Sequence, residues 1–259
     1  KTFERWIKFK NFSYSIFKRI SFAFPQNKET QFFLKKLKMK NLKFIGNLKF
    51  IDSDPYKKNN FKNKLYNKFK KKNVLVAAST HEGEEFFCAK SHIKFKKKNK
   101  NFITVIIPRH IHRVKQIVST LENLNIKIAL HSSNVKTLEN IDIYIVDTFG
   151  ESKKFYEIGS TVFLGKSLTF KGGQNPLEAI HHGAKILHGP HIDNFKDVYK
   201  LLKSLNASKE IKTINQFVSN ISLKKNRKIE KKIKKIGGKI LKKTINELDK
   251  FINNEYKKT

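Results

Sequence analysis

Four short segments hold most of the residue types from which a polar site can be built. The first is Ser79-Thr80-His81-Glu82-Gly83-Glu84-Glu85, with hydroxyls, an imidazole and backbone N–H groups. It lacks the second His of the H-E-x-x-H zinc motif. Its plainest reading is a helix start, with Ser or Thr as cap and acids in the first turn. The second is Pro108-Arg109-His110-Ile111-His112-Arg113. A guanidinium there can pair bidentately with phosphate or carboxylate, or be one more surface cation. No acidic or Cys neighbour completes a metal set with the two His. The third is Asp147-Thr148-Phe149-Gly150-Glu151, where Gly150 permits close backbone approach and Glu151 opens a helix. That helix start can face an anion or simply be capped. The fourth is Lys171-Gly172-Gly173-Gln174-Asn175-Pro176-Leu177-Glu178-Ala179. Two glycines form a cradle, Asn175 caps a helix and Pro176 suits its first turn. The helix N–H groups then point at a phosphate, and the Glu178 carboxylate can accept hydrogen bonds from ribose hydroxyls. The chain contains no P-loop and no G-x-G-x-x-G after a strand, which argues against a Walker-type NTPase and a dinucleotide dehydrogenase.

Each segment follows an apolar run. Strands are predicted at 74–78, 102–107, 126–130, 141–146, 161–164 and 185–187, with helices at 84–95 and 111–124. Alternating strands and helices predict an α/β fold with a parallel sheet covered on both faces. Ligands of such sheets bind at the carboxyl ends of the strands, where all four segments lie. Upstream, 1–20 and 27–39 have helical spacing, 22–24 and 43–47 read as short strands, and the polar stretch 52–72 reads as a linker with some helix. In the Lys-rich tail, 223–258, Ile and Leu recur at helical spacing. Gly237-Gly238 is expected to interrupt it, so one or two helices packing on protein are predicted.

The 259 residues are 39% hydrophobic, enough for a real core, and carry a net charge of +35 from 56 Lys and Arg against 21 Asp and Glu. Such a charge attracts polyanions: nucleic acid, an anionic bilayer or a phosphorylated substrate. The abundance of Lys, Asn, Ile and Phe also fits drift in an AT-rich genome. Cys88 is the only cysteine, so no internal disulfide is possible, which fits a reducing compartment. No apolar run reaches the ~18 residues of a spanning helix, and no signal peptide is seen. The chain starts at Lys1, so its natural N-terminus is expected upstream.

Taken in order, Gly46-Asn47-Leu48-Lys49-Phe50, Ala78 to Glu85, Pro108-Arg109-His110, Asp147 to Glu151, Gly172 to Glu178 and Gly189-Pro190-His191 resemble the 3-deoxy-D-manno-octulosonic acid (Kdo) transferases of lipid A assembly. The resemblance runs from about Phe44 to Phe195 and is weaker through 1–40. It implies a GT-B-type glycosyltransferase with a Rossmann-like C-terminal donor domain: 1–51 as a remnant of an N-terminal acceptor domain, 52–222 as the donor domain and 223–259 as a helical tail. It also implies CMP-Kdo as donor, a lipid A precursor as acceptor, no cofactor, no metal and no nucleic acid. The location implied is the cytoplasmic face of the bacterial inner membrane, peripheral for this chain. By motif, the CMP contacts carry over to Pro108, Arg109, Phe149, Gly150, Glu151, Asn175, Pro176, Leu177 and Glu178. The family's catalytic Glu lies in an N-terminal segment outside this chain, so the expectation is donor binding without transfer by the chain alone. Three positions depart from the family: Phe149 for Met, Gln174 for His and Lys166 for Gly. The rival readings are a UDP-sugar-dependent GT-B enzyme, and a basic nucleic-acid binder suggested by runs such as Lys70–Lys72 and Lys96–Lys98. No RRM or OB stacking motif supports the latter.

Overall fold

The computed structural model describes residues 2–51 and 64–256. The chain divides into two compact units, one of 1–53 with 232–259 and one of 54–231. Most of the predicted linker, 52–63, lies outside the described residues.

The smaller unit begins with α1 (Thr2–Lys8) and α2 (Lys10–Phe17). The predicted single helix breaks at Phe9, whose φ of −115° and ψ of 59° are not helical. α3 (Lys28–Lys36) starts at Asn27, whose side chain accepts the Thr30 N–H at 2.7 Å. Phe3 stacks on Phe33 at 4.1 Å, and Leu37, Met39 and Phe50 are buried. The strands predicted at 22–24 and 43–47 reduce to one parallel bridge, Ala23 to Leu42. No ladder forms there, because one bridge leaves no neighbouring pair for cooperative hydrogen bonding.

The larger unit runs α4 (Lys64–Lys70), β1 (Asn73–Thr80), α5 (Glu84–Lys96), β2 (Phe102–Pro108), α6 (Val114–Glu122), β3 (Ile128–Leu130) and β4 (Ile143–Ile145). It continues with α7 (Ser152–Ile158), β5 (Thr161–Leu164), α8 (Leu177–Ile180), β6 (Lys185–His188), α9 (Lys196–Ser204), β7 (Ser208–Glu210) and α10 (Ile214–Asn220). The sheet is seven-stranded, in the order β3-β4-β2-β1-β5-β6-β7. Every pairing is parallel. This is the expected α/β Rossmann-like class. β2 is buried at all seven positions, which is why its sequence is apolar but for Thr104, whose hydroxyl finds the His92 ring at 2.9 Å. β7 escapes sequence reading because Ser208-Lys209-Glu210 is polar and only Ser208 is buried.

On one face, Cys88 and Ala89 of α5, Val114, Ile117 and Leu121 of α6, and Phe217 of α10 close over Leu75, Ala77, Ile106 and Phe163. On the other, Phe69 of α4 and Phe155 of α7 meet edge to face, 5.8 Å apart, and Phe69 meets Tyr144 of β4 at 5.2 Å.

The tail is one helix, α11 (Arg227–Tyr256), unbroken at Gly237-Gly238, contrary to the predicted interruption. Gly237 serves contact instead. A Cβ there would overlap the Phe50 carbonyl and stand 2.8 Å from its carbon. Among the described residues no helix is long and apolar enough to cross a membrane.

Candidate functional site

β1 lies at the centre of the sheet. The chain steps outward from it through β2 in one direction and through β5, β6 and β7 in the other. The crevice between the carboxyl ends of β1 and β5 is therefore the topological switch point, where open α/β sheets bind ligands. The four polar segments follow β1, β2, β4 and β5, and these are four adjacent strands, β4-β2-β1-β5.

At the end of β1, Ser79 holds a φ of +54°, and at the end of β5 Lys166 holds +56°. Neither is Gly, so both carry the steric cost of the left-handed region beside the crevice. The Arg109 N–H donates to the Thr80 carbonyl at 3.0 Å, which ties the β2 loop to the end of β1. The rings of His81 and His110 stand 5.9 Å apart, and those of His110 and His112 5.5 Å. Desolvation, then the charges of His81, His112, Arg109 and Arg113, hold the His110 imidazole below its usual range. Arg109 is exposed, and no carboxylate pairs with it among the described residues. Arg113 instead forks onto buried Glu85 at 3.0 and 3.3 Å and is committed to structure.

After β4, Phe149 is 78% exposed and Gly150 is exposed beside it. Glu151 is half-buried, accepts from Lys154 at 2.9 Å and lies 4.0 Å from His131. After β5, the Gly173 N–H donates to the Lys166 carbonyl at 2.9 Å and the Asn194 N–H to the Gly172 carbonyl at 3.0 Å. Asn175 Oδ1 accepts the Leu177 N–H at 3.1 Å, but the N-cap of the following helix is Pro176 and not Asn175 as the sequence predicts. That helix, α8, is a single turn of four residues. Pro176 and Leu177 are buried, while Glu178 points outward, exposed. Burial first, and the nearby Glu178 charge second, raise the Tyr156 hydroxyl, so Glu178 stands close to α7.

The carried-over residues therefore separate by what they can touch. Arg109, Phe149, Gly150 and Glu178 are exposed, and Glu151 and Asn175 partly so. Pro108, Pro176 and Leu177 are buried and can only shape the backbone. Among the described residues no three His, Cys, Asp or Glu side chains are arranged to hold a metal ion.

The sequence predicts a Ser or Thr cap for α5, with Glu84 as an acid of the first turn; the N-cap is instead Gly83, in the left-handed region, with no side-chain cap. Glu84 does lie in the first turn, but it is fully buried, accepts the His81 N–H at 2.9 Å and also bonds the β5 loop. The buried hydroxyls of Thr80 and Thr148, at the ends of β1 and β4, have no hydrogen-bond partner among the described residues. Neither feature has a sequence signal, because both depend on loops far apart in the chain.

Lys166, one of the family departures, sits where Gly costs nothing. Lys166→Gly is expected to stabilise the protein by about 1 kcal/mol: relief of the left-handed strain, less the chain entropy that Gly adds. Urea denaturation would check this, and a destabilised variant would show that the Lys side chain holds the loop.

No protein-family model matches the chain. The 3-deoxy-D-manno-octulosonic acid transferase of Rickettsia bellii is 32% identical over 213 residues, 82% of this chain and 51% of the relative. That of Haemophilus influenzae is 30% identical over 138 residues, 53% of this chain and 32% of the relative. The chain thus spans about half the length of the first of these relatives. Among solved structures, the C-terminal CMP-Kdo binding domain of WaaA from Acinetobacter baumannii aligns with a TM-score of 0.57 at 22% identity. That match covers 67% of this chain and 91% of that domain, and it shows a shared fold. With sequence similarity over most of its length and the same sheet architecture, the chain is a relative of the 3-deoxy-D-manno-octulosonic acid transferases.

Proposed function

We propose that this chain is the donor-binding part of a Kdo transferase that holds CMP-Kdo at the carboxyl edge of β4, β2, β1 and β5. The observation that carries the reading is the convergence of all four family-like segments on adjacent strands at the switch point. In this reading Pro108, Arg109, Phe149, Gly150, Glu151 and Asn175 through Glu178 surround the CMP. Arg109 meets phosphate, and Glu178 meets the ribose, since a carboxylate facing phosphate would repel it.

An acceptor hydroxyl of a lipid A precursor attacks the anomeric carbon. The new C–O bond forms as the bond to the CMP phosphate breaks, with inversion and an oxocarbenium-like transition state. The hydroxyl proton passes to a base supplied outside these residues. Charge grows on the departing phosphate, where Arg109 stabilises it. Residues 1–51 belong to the acceptor side, 52–222 bind donor and 223–259 form the tail. The +35 charge favours residence against the anionic cytoplasmic face of the inner membrane.

Calorimetric titration tests the reading. CMP is expected to bind in preference to UMP. Glu178→Ala should weaken CMP binding by roughly 1–3 kcal/mol, the scale of hydrogen bonds to a charged partner. Arg109→Ala should weaken it too, more steeply at low salt. Far-UV circular dichroism should stay unchanged, because both side chains are exposed. A preference for UMP would point to a UDP-sugar donor. Equal CMP affinity in wild type and Glu178→Ala would remove the β5 loop from the site.

A further inference from the structure

The switch point already holds an anion of the protein's own. The Glu84 side chain enters the crevice between β1 and β5 and accepts four backbone N–H groups. One oxygen takes His81 N–H at 2.9 Å and Lys166 N–H at 2.8 Å. The other takes Ser167 N–H and Leu168 N–H, each at 3.0 Å. Three successive N–H groups converging on one point form the kind of nest that elsewhere receives a phosphate. Here it is filled, and Glu84 is fully buried in filling it. The fit excludes even a methyl group on the facing loop: a Cβ at Gly165 would stand 2.6 Å from the Glu84 carboxylate and 2.7 Å from Thr80 Cα.

The loop so held is a junction. Lys166 accepts the Gly173 N–H at 2.9 Å, which fixes the glycine pair ahead of Asn175. The Ser167 carbonyl accepts the His191 N–H at 3.0 Å, and its hydroxyl accepts the Gly189 N–H at 2.9 Å. Thr169 reaches back to the Glu82 carbonyl at 3.0 Å. Three segments distant in sequence, around 81, 173 and 190, are thereby referred to one carboxylate.

We propose that Glu84 is the positioning residue of the donor site: it occupies the anion nest at the switch point, sets the Gly172-Gly173 loop and leaves the donor phosphate to Arg109. This rests on the donor-binding reading above. Glu84→Gln keeps the shape but turns an N–H donor toward the converging N–H groups. It should weaken CMP binding about tenfold or more, the scale of lost hydrogen bonds to a charged group. Glu84→Asp, which keeps the charge on a shorter arm, should recover part of that loss. Leu121→Ala, a core change in α6 away from these loops, should lower the melting temperature and leave CMP affinity unchanged, which separates positioning from general destabilisation. Wild-type CMP affinity in Glu84→Gln overturns the proposal, as does an equal affinity loss in Leu121→Ala. Amide exchange decides the matter independently of the donor. In Glu84→Gln the Gly173 and His191 amides should exchange about tenfold faster or more, and unchanged exchange overturns the proposal. If wild type binds no CMP, the donor reading falls and this exchange result alone judges Glu84. If Glu84→Gln does not fold, wild-type amides decide: Lys166, Ser167 and Leu168 should be protected without ligand and insensitive to CMP. Large shifts of these three on CMP addition would place the phosphate in the nest and overturn the proposal.

Discussion

Gly189→Ala is expected to destabilise the protein by about 3 kcal/mol, near the upper end for forcing atoms into a packed site. Gly189 lies just past β6, where its N–H bonds the Ser167 hydroxyl at 2.9 Å. A Cβ there would overlap the Ser167 carbonyl group and stand 2.6 Å from the Leu168 nitrogen. These are backbone atoms, and Glu84 holds the same two residues by their N–H groups, so neither can swing aside. The strain must open either the β6 end or the Glu84 nest. Against a total stability of ~5–15 kcal/mol this is a large fraction. The urea midpoint should fall with an unchanged slope. A loss under about 1 kcal/mol would mean that the two loops part easily and that the junction is softer than its hydrogen bonds suggest.

Phe155→Ala is expected to cost about 3–5 kcal/mol, the usual range for emptying a buried aromatic site. The ring is fully buried and meets Phe69 and His131 at 5.8 Å and Tyr144 at 6.0 Å. Three elements, α4, β3 with its following turn, and β4, thus share one ring of α7. The ring is in the first turn of α7, which starts directly after Phe149, Gly150 and Glu151. The variant should therefore bind CMP more weakly at temperatures where it remains folded. Phe86→Ala, at a side chain 39% exposed on α5, should change stability by less than about 0.5 kcal/mol. Equal effects in the two variants would show that the α7 face is not packed as described.

The strands that carry the site were legible because burial on both faces leaves a long apolar run, as in Val74–Ala78 and Phe102–Ile107. A bond from the Asn175 side chain into the next helix was legible because it is local, although the cap itself falls one residue on, at Pro176. Helix continuity through Gly237-Gly238 was not legible: the close Phe50 carbonyl, which explains the glycine at 237 as a contact and not a break, is remote in sequence. β7 was missed because an edge strand of Ser, Lys and Glu advertises nothing apolar. Glu84 was read only as an acid of a first helical turn, because its bonds to 166–168 span more than eighty positions and leave no local pattern. The family resemblance found the loops, but it could not say which side chains of those loops face outward and which hold them in place.

The parallel sheet also imposes a timetable. Leu75 pairs with Thr161 and Ala78 with Leu164, so β1 waits for a partner more than eighty residues downstream. No hairpin shortens that search, and long-range parallel pairing is slow, because loop closure is paid for before contacts reward it. β1, β2 and β4 can associate as the chain emerges from the ribosome, yet such an intermediate has an open edge along β1 and no 166–168 loop for Glu84 to bind. Until β5 arrives, that edge is an apolar strand able to pair with another chain. The ligand crevice is therefore among the last parts of the sheet to exist. Slow steps in folding, and aggregation that competes with them, should trace to the closure of β5 on β1 rather than to helix formation.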